Sequence, residues 1–394
     1  MKPAQKILVL QLLLTLLTSC NSNTKELSNI STKTKHSYEI HDSINISKDK
    51  YFRFFNLNNI VNDSIYAFTY PNLELDLLNK KGELIASITE KGGGPGQLNE
   101  FIGISQCENK IFLLEYGNSY RCHVYDSKSL KFIRTIKLGE FDTGYYPIHI
   151  YSKFFVLREN NTYKLVFSND SYKHTQFNPK YYQNGYLISE FIIDNDLNVL
   201  IHANHLKISE TYPSTNQFIS DDKRIWDNPV SNFKYYNNQF ILYTNYTDEL
   251  HIYDNEWKLK EKIKIGLNKD GFQTAFVDEE NTLKRLQNEF KLRYLNNSII
   301  DIDVIEDTAF LLFNKAEKEI ETPKNMQQLQ GFYPELELHV IDLKNKENNY
   351  IVDLPNKFSS FGKIKALKKN EIAITSGPNY NENIYLFTLK ILNK

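Results

Sequence analysis

The chain has 394 residues, 41% of them apolar and 13% aromatic, with Tyr and Phe supplying nearly all of the aromatics. That aromatic load excludes a disordered chain, and a length well beyond one average domain suits a single closed β architecture. A formal net charge of -1 excludes a global field that would draw the chain to nucleic acid or to an anionic membrane.

The first nineteen residues read as an export signal rather than as part of the fold. Lys2 and Lys6 precede an apolar run from Ile7 to Leu17, broken only by Gln11 and Thr15. The run is too short for a permanent transmembrane helix and fits the apolar region of a cleaved signal peptide. Leu17-Thr18-Ser19-Cys20 follows and resembles the lipobox of bacterial lipoproteins. That resemblance implies that Cys20 becomes the lipid-bearing N-terminus, with acyl chains as the only membrane attachment. Residues 20–36 are polar and are expected to form a tether, with 37–394 as the folded domain. Some related lipoproteins carry an acidic run after this cysteine that directs them to the cell surface. Here Asn21, Ser22, Asn23 and Thr24 come first and Glu26 stands alone, which favours the periplasmic side of an envelope membrane.

From Leu57 onward the sequence repeats with a period of about forty residues, within the range of propeller blades. One strand recurs most clearly: Glu74–Asn79, Arg121–Asp126, Glu249–Asp254 and Glu337–Asp342. Each alternates with period two and ends in Asp or Asn, whose side chains can bond nearby backbone and start a turn. A further strand follows each turn, as at Glu83–Thr89, Phe132–Leu138 and Lys260–Ile265. Two strands precede each, such as Phe101–Ser105 and Ile111–Glu115, or Ile364–Leu367 and Ile372–Thr375. Each unit is thus a four-stranded antiparallel sheet. The predicted fold is an all-β propeller. Seven units are favoured, beginning near Leu57, Phe101, Pro147, Ile188, Ser231, Ser298 and Phe361, with six as the alternative. The last unit ends at Leu392 without a fourth strand, and Ser37–Ile46 alternates without a partner. This N-terminal strand is expected to close the ring as the outer strand of the last blade and so remove an exposed edge.

Lys81-Gly82-Glu83-Leu84-Ile85, followed by Lys91-Gly92-Gly93-Gly94-Pro95-Gly96-Gln97-Leu98-Asn99-Glu100-Phe101, resembles the first-blade signature of the six-bladed β-propeller lipoproteins (TolB-like and NHL-like propellers). Gln97 stands where that family usually has Glu, and the aromatic comes later, at Phe101. The likeness spans about twenty residues of a chain whose repeat rhythm runs throughout. The glycines are not a phosphate-binding loop, because no Lys-Ser or Lys-Thr and no helix follow Gly96. They are expected to supply unusual backbone angles at a tight crossing between blades.

Cys107 and Cys122 are expected to be free. Pairing Ile111–Glu115 with Arg121–Asp126 sets Cys122 opposite Leu114 and leaves Cys107 out of reach of a bridge.

The parity of antiparallel strands places inter-blade links and second-to-third connections on one face. The loops expected there supply the candidate binding residues Tyr70, Asn72, Glu115, Tyr116, Tyr120, Arg158, His205 and Tyr246. Two long insertions, Leu267–Asn297 and Lys315–Pro334, fall on the same face. Glu279–Leu295 within the first has helical spacing, with Asp278 as N-cap. That helix serves either the binding surface or as a cap on the channel mouth. His123, His251 and His339 occupy equivalent repeat positions, with Asp76 in the first unit, which spreads them around the ring and suits packing. His202 and His205, on one extended strand, would point to opposite faces.

Two functions follow. The first, and favoured, is a membrane-anchored binding or scaffold module for a protein or glycan, without cofactor, in which Tyr tips give contact area at low entropy cost. The second is a calcium-dependent hydrolase, lactonase or lyase centred on the channel, with Asp301, Asp303 and Glu190 as metal ligands. Its likeness is to propeller lactonases that hold calcium with Glu, Asn and Asp. No Gly-x-Ser-x-Gly elbow offers a serine nucleophile.

Overall fold

The computed structural model describes residues 28–29, 34–45, 54–55, 64–69, 74–98, 100–116, 120–139, 153–168, 183–211, 225–226, 231–244, 248–265, 275–276, 298–315, 335–346, 348–354, 358, 364–375 and 385–392. Strands dominate them. Blade I is Phe54–Phe55, Ser64–Thr69, Glu74–Asn79 and Leu84–Ile88. Blade II is Glu100–Cys107, Lys110–Tyr116, Tyr120–Asp126 and Phe132–Gly139. Blade III is Phe154–Glu159, Thr162–Ser168, Tyr186–Ile193 and Val199–Lys207. Blade IV is Ser231–Tyr236, Gln239–Thr244, Glu249–Asp254 and Leu259–Lys264. Blade V is Ser298–Ile305, Thr308–Asn314, Leu336–Asp342 and Asn349–Leu354. Blade VI is Ile364–Lys368, Glu371–Thr375 and Tyr385–Leu392, completed by the N-terminal strand Thr34–Asn45.

The described residues therefore fall into six four-stranded units, where seven were favoured and six was the alternative, with a separate two-stranded ladder of Ile225–Trp226 and Ala275–Phe276. The units placed at Pro147 and Ile188 are one blade. Ile188 lies in the third strand of blade III, and residues 169–185 separate that strand from the second. The long internal connection stretches the period and imitates a blade boundary.

The closure by the chain ends is present. Ser37–Asn45 pairs antiparallel with Tyr385–Leu392. The same segment does more than close the ring. Thr34–His36 runs parallel to Tyr350–Val352 on the outer edge of blade V, and Ser28–Asn29 runs parallel to Ile263–Lys264 on the edge of blade IV. Part of the expected tether, 20–36, is thus taken up as edge strands, which covers backbone that would otherwise template association.

The recurrent Asp or Asn explains the outer hairpin of each blade. Asp126 Oδ1 accepts the backbone N–H groups of Lys128 and Ser129, Asp254 Oδ1 those of Glu256 and Lys258, and Asp342 Oδ1 those of Lys344 and Asn345. Asn79 does the same for Lys81 and Glu83, and Asp194 for Asn198. Asp194 therefore marks blade III's third strand, a signal equivalent to Asp126 that the repeat reading passed over.

The core lies between sheets. Second strands such as Ile111–Leu114 and Ala309–Phe313 are buried on both faces, so they read as continuous apolar runs rather than alternating ones. Phe240 stacks on Trp257 at 4.1 Å in the core shared by blades III and IV. Each fully buried aromatic of this size is worth roughly 3 kcal/mol of apolar burial.

Cys122 lies opposite Leu114 in the ladder, as expected, and both Cys107 and Cys122 are free thiols. Burial pushes the Cys107 thiol up to about 11, and pushes the Cys122 thiol higher still. The expected helix at Glu279–Leu295 lies outside the described residues. Among those described, no helix is long and apolar enough to cross a membrane.

Candidate functional site

First strands of successive blades lie against one another around the ring interior, and their free edges need partners for backbone N–H groups. Asp301 and Asp303, two apart on the first strand of blade V, share a face and meet that need. Asp301 Oδ2 accepts the Ile364 N–H at 2.9 Å, and Asp303 Oδ2 accepts the Ala366 N–H at 2.8 Å, both from the first strand of blade VI. Ser105 Oγ plays the same part between blades II and III, accepting the Val156 N–H at 2.9 Å.

Lysines supply the counter-charge. Lys234 of blade IV lies 2.6 Å from Asp303 Oδ1, and Lys365 of blade VI lies 3.4 Å from Asp303 Oδ2. Lys153, at the head of blade III, pairs with Asp301 and donates to the Ile302 carbonyl at 3.4 Å. Burial alone would push the Asp303 carboxyl up. The Lys234 and Lys365 ammoniums, with the Ala366 N–H, outweigh it and hold the group at about 2. Burial likewise works against the charged form of Lys234, but Asp303 overcomes it and raises that amine.

Glu190 does not join them. It lies on the third strand of blade III rather than on a channel strand, and it accepts the Trp257 indole N–H at 3.0 Å. Lys164 and His205 stand 3.7 Å from the same carboxylate. The three carboxylates expected to share a metal are thus in two places. Among the described residues no group of three or more His, Cys, Asp or Glu is arranged to hold a metal ion.

The candidate binding residues also divide. Glu115 is buried at the end of blade II's second strand, 2.5 Å from His123 and 2.7 Å from Arg121. Arg158 lies at the first-to-second turn of blade III. There it donates to Asn195 at 2.6 Å in the third-to-fourth turn, so it belongs to the face opposite the one expected. The expected unit begins near Pro147, one strand ahead of the observed first strand Phe154–Glu159, which turns a first-to-second turn into a second-to-third connection. His205 is in the outer strand of blade III, not in a loop, and stacks on Trp257 at 5.4 Å. Three residues away on that extended strand, His202 stacks on Phe191 at 4.2 Å. Tyr116 and Tyr120 end the two strands that flank residues 117–119. Tyr70, Asn72 and Tyr246 lie outside the described residues, as does Cys20.

The repeat histidines are packing groups. His251 pairs with Glu249 at 2.8 Å, His339 with Glu337 at 3.0 Å, and His123 with Glu115 and, at 2.9 Å, Thr135. In blade I, Asp76 accepts from Ser87 at 2.5 Å at the matching position. Burial lowers the His251 imidazole, with Glu249 opposing.

The glycine-rich link between blades I and II is a tight crossing. Gly92 and Gly96 have φ of 137° and 75°. A Cβ on Gly96 would stand 2.8 Å from the Phe132 ring. Lys91 and Leu98 bridge the base of the loop, and Arg121 donates to the Gly93 carbonyl at 2.7 Å. Since Arg121 also holds Glu115, the link is clamped to the Glu115–His123 pair.

With this geometry the chain is similar in structure to two solved Bacteroides proteins. A member of the DUF4221 family from Bacteroides vulgatus matches over 92% of this chain and 100% of its own, with a TM-score of 0.63 at 11% identity. A Bacteroides fragilis protein described as exported matches over 91% and 100%, with a TM-score of 0.52 at 12% identity. At these identities the likeness shows the fold alone. No protein-family model matches the chain, and no curated protein does.

The two faces of the propeller differ sharply in their connections. In blades II to VI the first-to-second connections are tight turns, such as Asn160-Asn161, Asn237-Asn238, Glu306-Asp307 and Lys369-Asn370, and the third-to-fourth connections of blades I to V are also short. Every long connection within or after blades II to V, including 140–153, 169–185, 265–297 and 315–335, leaves the opposite face. Strand parity fixes this separation.

The inner-strand lysines were missed in the sequence reading. A signal existed, since Lys234 and Lys365 each sit between apolar neighbours on strands that must line the ring.

Proposed function

We propose that the chain is a lipoprotein β-propeller, anchored through Cys20 on the periplasmic side of an envelope membrane, that binds a protein or glycan partner through its link-bearing face. The carrying observation is the segregation of long connections to that one face. A propeller gives a rigid platform, and variable connections on a rigid platform are where binding residues concentrate. The clamped link at Lys91–Leu98 supports this, since a loop fixed before binding loses less entropy on binding. Carboxylates inside the ring, by contrast, are already spent on backbone and lysine partners, which disfavours a channel-centred calcium hydrolase.

The test is partner capture from cell envelopes by the lipidated protein, comparing the wild type with a chain whose residues 267–297 are replaced by a short Gly-Ser linker. Loss of capture in that variant, with retention in Lys344→Ala on the tight-turn face, supports the reading. Retention in the first and loss in the second would refute it. Cys20→Ser is expected to move the protein from the membrane fraction to the soluble one.

A further inference from the structure

Four blades send charged side chains to one cluster inside the ring: Lys153 from blade III, Lys234 from IV, Asp301 and Asp303 from V, and Lys365 from VI. Three ammoniums face two carboxylates. The carboxylates also cap backbone, because Asp301 takes the Ile302 and Ile364 N–H groups and Asp303 Oδ2 that of Ala366. Among the described residues one cation is left without a full counter-charge, and a buried charge is costly unless paired. Lys365 is that cation. Its contact with Asp303 is the longer of the two on that carboxylate, and its side chain is 21% exposed against 13% for Lys234 and 4% for Lys153.

A second observation is independent of the charge count. Asn232 lies two residues before Lys234 on the same strand, so both side chains share a face. It is 0% exposed, and neither its Nδ2 nor its Oδ1 has a partner. A buried amide without partners is costly, and such a group beside a polar cluster is a donor held ready.

We propose that this cluster is a binding site for a small oxyanion, a carboxylate or phosphate group on a solute that enters the ring, held by Lys365 and Lys234 with Asn232 as the neutral donor. The anion balances the surplus cation without displacing Asp301 or Asp303 from the backbone they cap. Burial lowers the Lys365 amine, and Lys234 adds to this while Asp303 opposes it, as expected for a cation short of counter-charge. This site does not depend on the binding reading of the link-bearing face.

The test is calorimetric titration of the full chain with inorganic phosphate and, separately, with malonate, in the wild type, Lys365→Met and Lys369→Met. A dissociation constant of about a millimolar or tighter for either anion, weakened about tenfold or more in Lys365→Met and unchanged in Lys369→Met, is expected. Binding of phosphate alone or of malonate alone tells which oxyanion the site prefers. Protection of Lys365 from acetic anhydride when the anion is added to the wild-type chain gives the same answer without a variant. No binding of either anion, or binding that Lys365→Met leaves intact, overturns the proposal.

Discussion

Lys153, at the head of blade III, pairs with Asp301 of blade V, so one side chain reaches past the whole of blade IV to join blades that are not neighbours. Asp301 in turn caps the Ile364 N–H of blade VI. Removing Asp301 strands a buried ammonium and a buried amide together. Asp301→Ala is expected to lower unfolding free energy by about 3–5 kcal/mol, and Asp301→Asn by less, read as the shift in urea midpoint at constant m-value. A loss under about 1 kcal/mol would show that the pair is solvated.

Asp303 makes stability depend on acid. Its folded carboxyl is held at about 2, against roughly 3.9 in an unfolded chain. A depressed carboxyl stabilises the fold above the unfolded value, and that contribution is lost as pH falls from about 4 through 2. The linked free energy is on the order of 2 kcal/mol. Urea midpoints measured between pH 6 and pH 2 should fall by that much more in the wild type than in Asp303→Asn, which has no proton to take up. Parallel curves would contradict the assignment.

Gly96 and Gly103 answer to two different constraints. Gly96 combines a positive φ with an added-Cβ position 2.8 Å from Phe132, and a Cβ added to Gly103, which has no unusual φ, would collide with the Phe154 Cβ. Both Ala variants are expected to cost about 1–3 kcal/mol. Only Gly103→Ala should be relieved by removing the facing Cβ, Phe154→Gly, in a double-mutant cycle, because the φ strain at Gly96 has no partner to remove.

The N-terminal strand should be a structural part of the last blade. A chain beginning at residue 46 is expected to lose about 5 °C or more in Tm and to lose amide protection across 385–392, while a chain beginning at residue 34 retains both. Equal protection in the two would mean that blade VI stands without its outer strand.

The architecture was legible where local chemistry is strict. Asn79, Asp126, Asp254 and Asp342 announced their hairpins, because an acceptor two to four residues before backbone donors makes a turn wherever it sits. Ser37–Ile46 was legible as a strand lacking a partner. Blade III was not, because residues 169–185 interrupt a sheet whose strands are individually ordinary. Starting that blade near Pro147, one strand early, set Arg158 on the other face, and ending its outer strand short set His205 in a loop. The burial of Glu115 was illegible for another reason. Nothing local says that His123 and Arg121, across the hairpin, will bury it. The pairing of Asp301 and Asp303 with lysines from three other blades is a property of ring closure, which no local pattern encodes.

The central claim is that the face bearing the long connections is the working face. Site-specific photo-crosslinking in growing cells tests it most directly. The photoreactive residue is placed singly at Lys91 and Asp248 on the link-bearing face, and at Lys128, Asn237 and Lys344 on the tight-turn face. The account predicts discrete crosslinked species from Lys91 or Asp248 and none from the other three. Crosslinks confined to Lys128, Asn237 and Lys344 would contradict it.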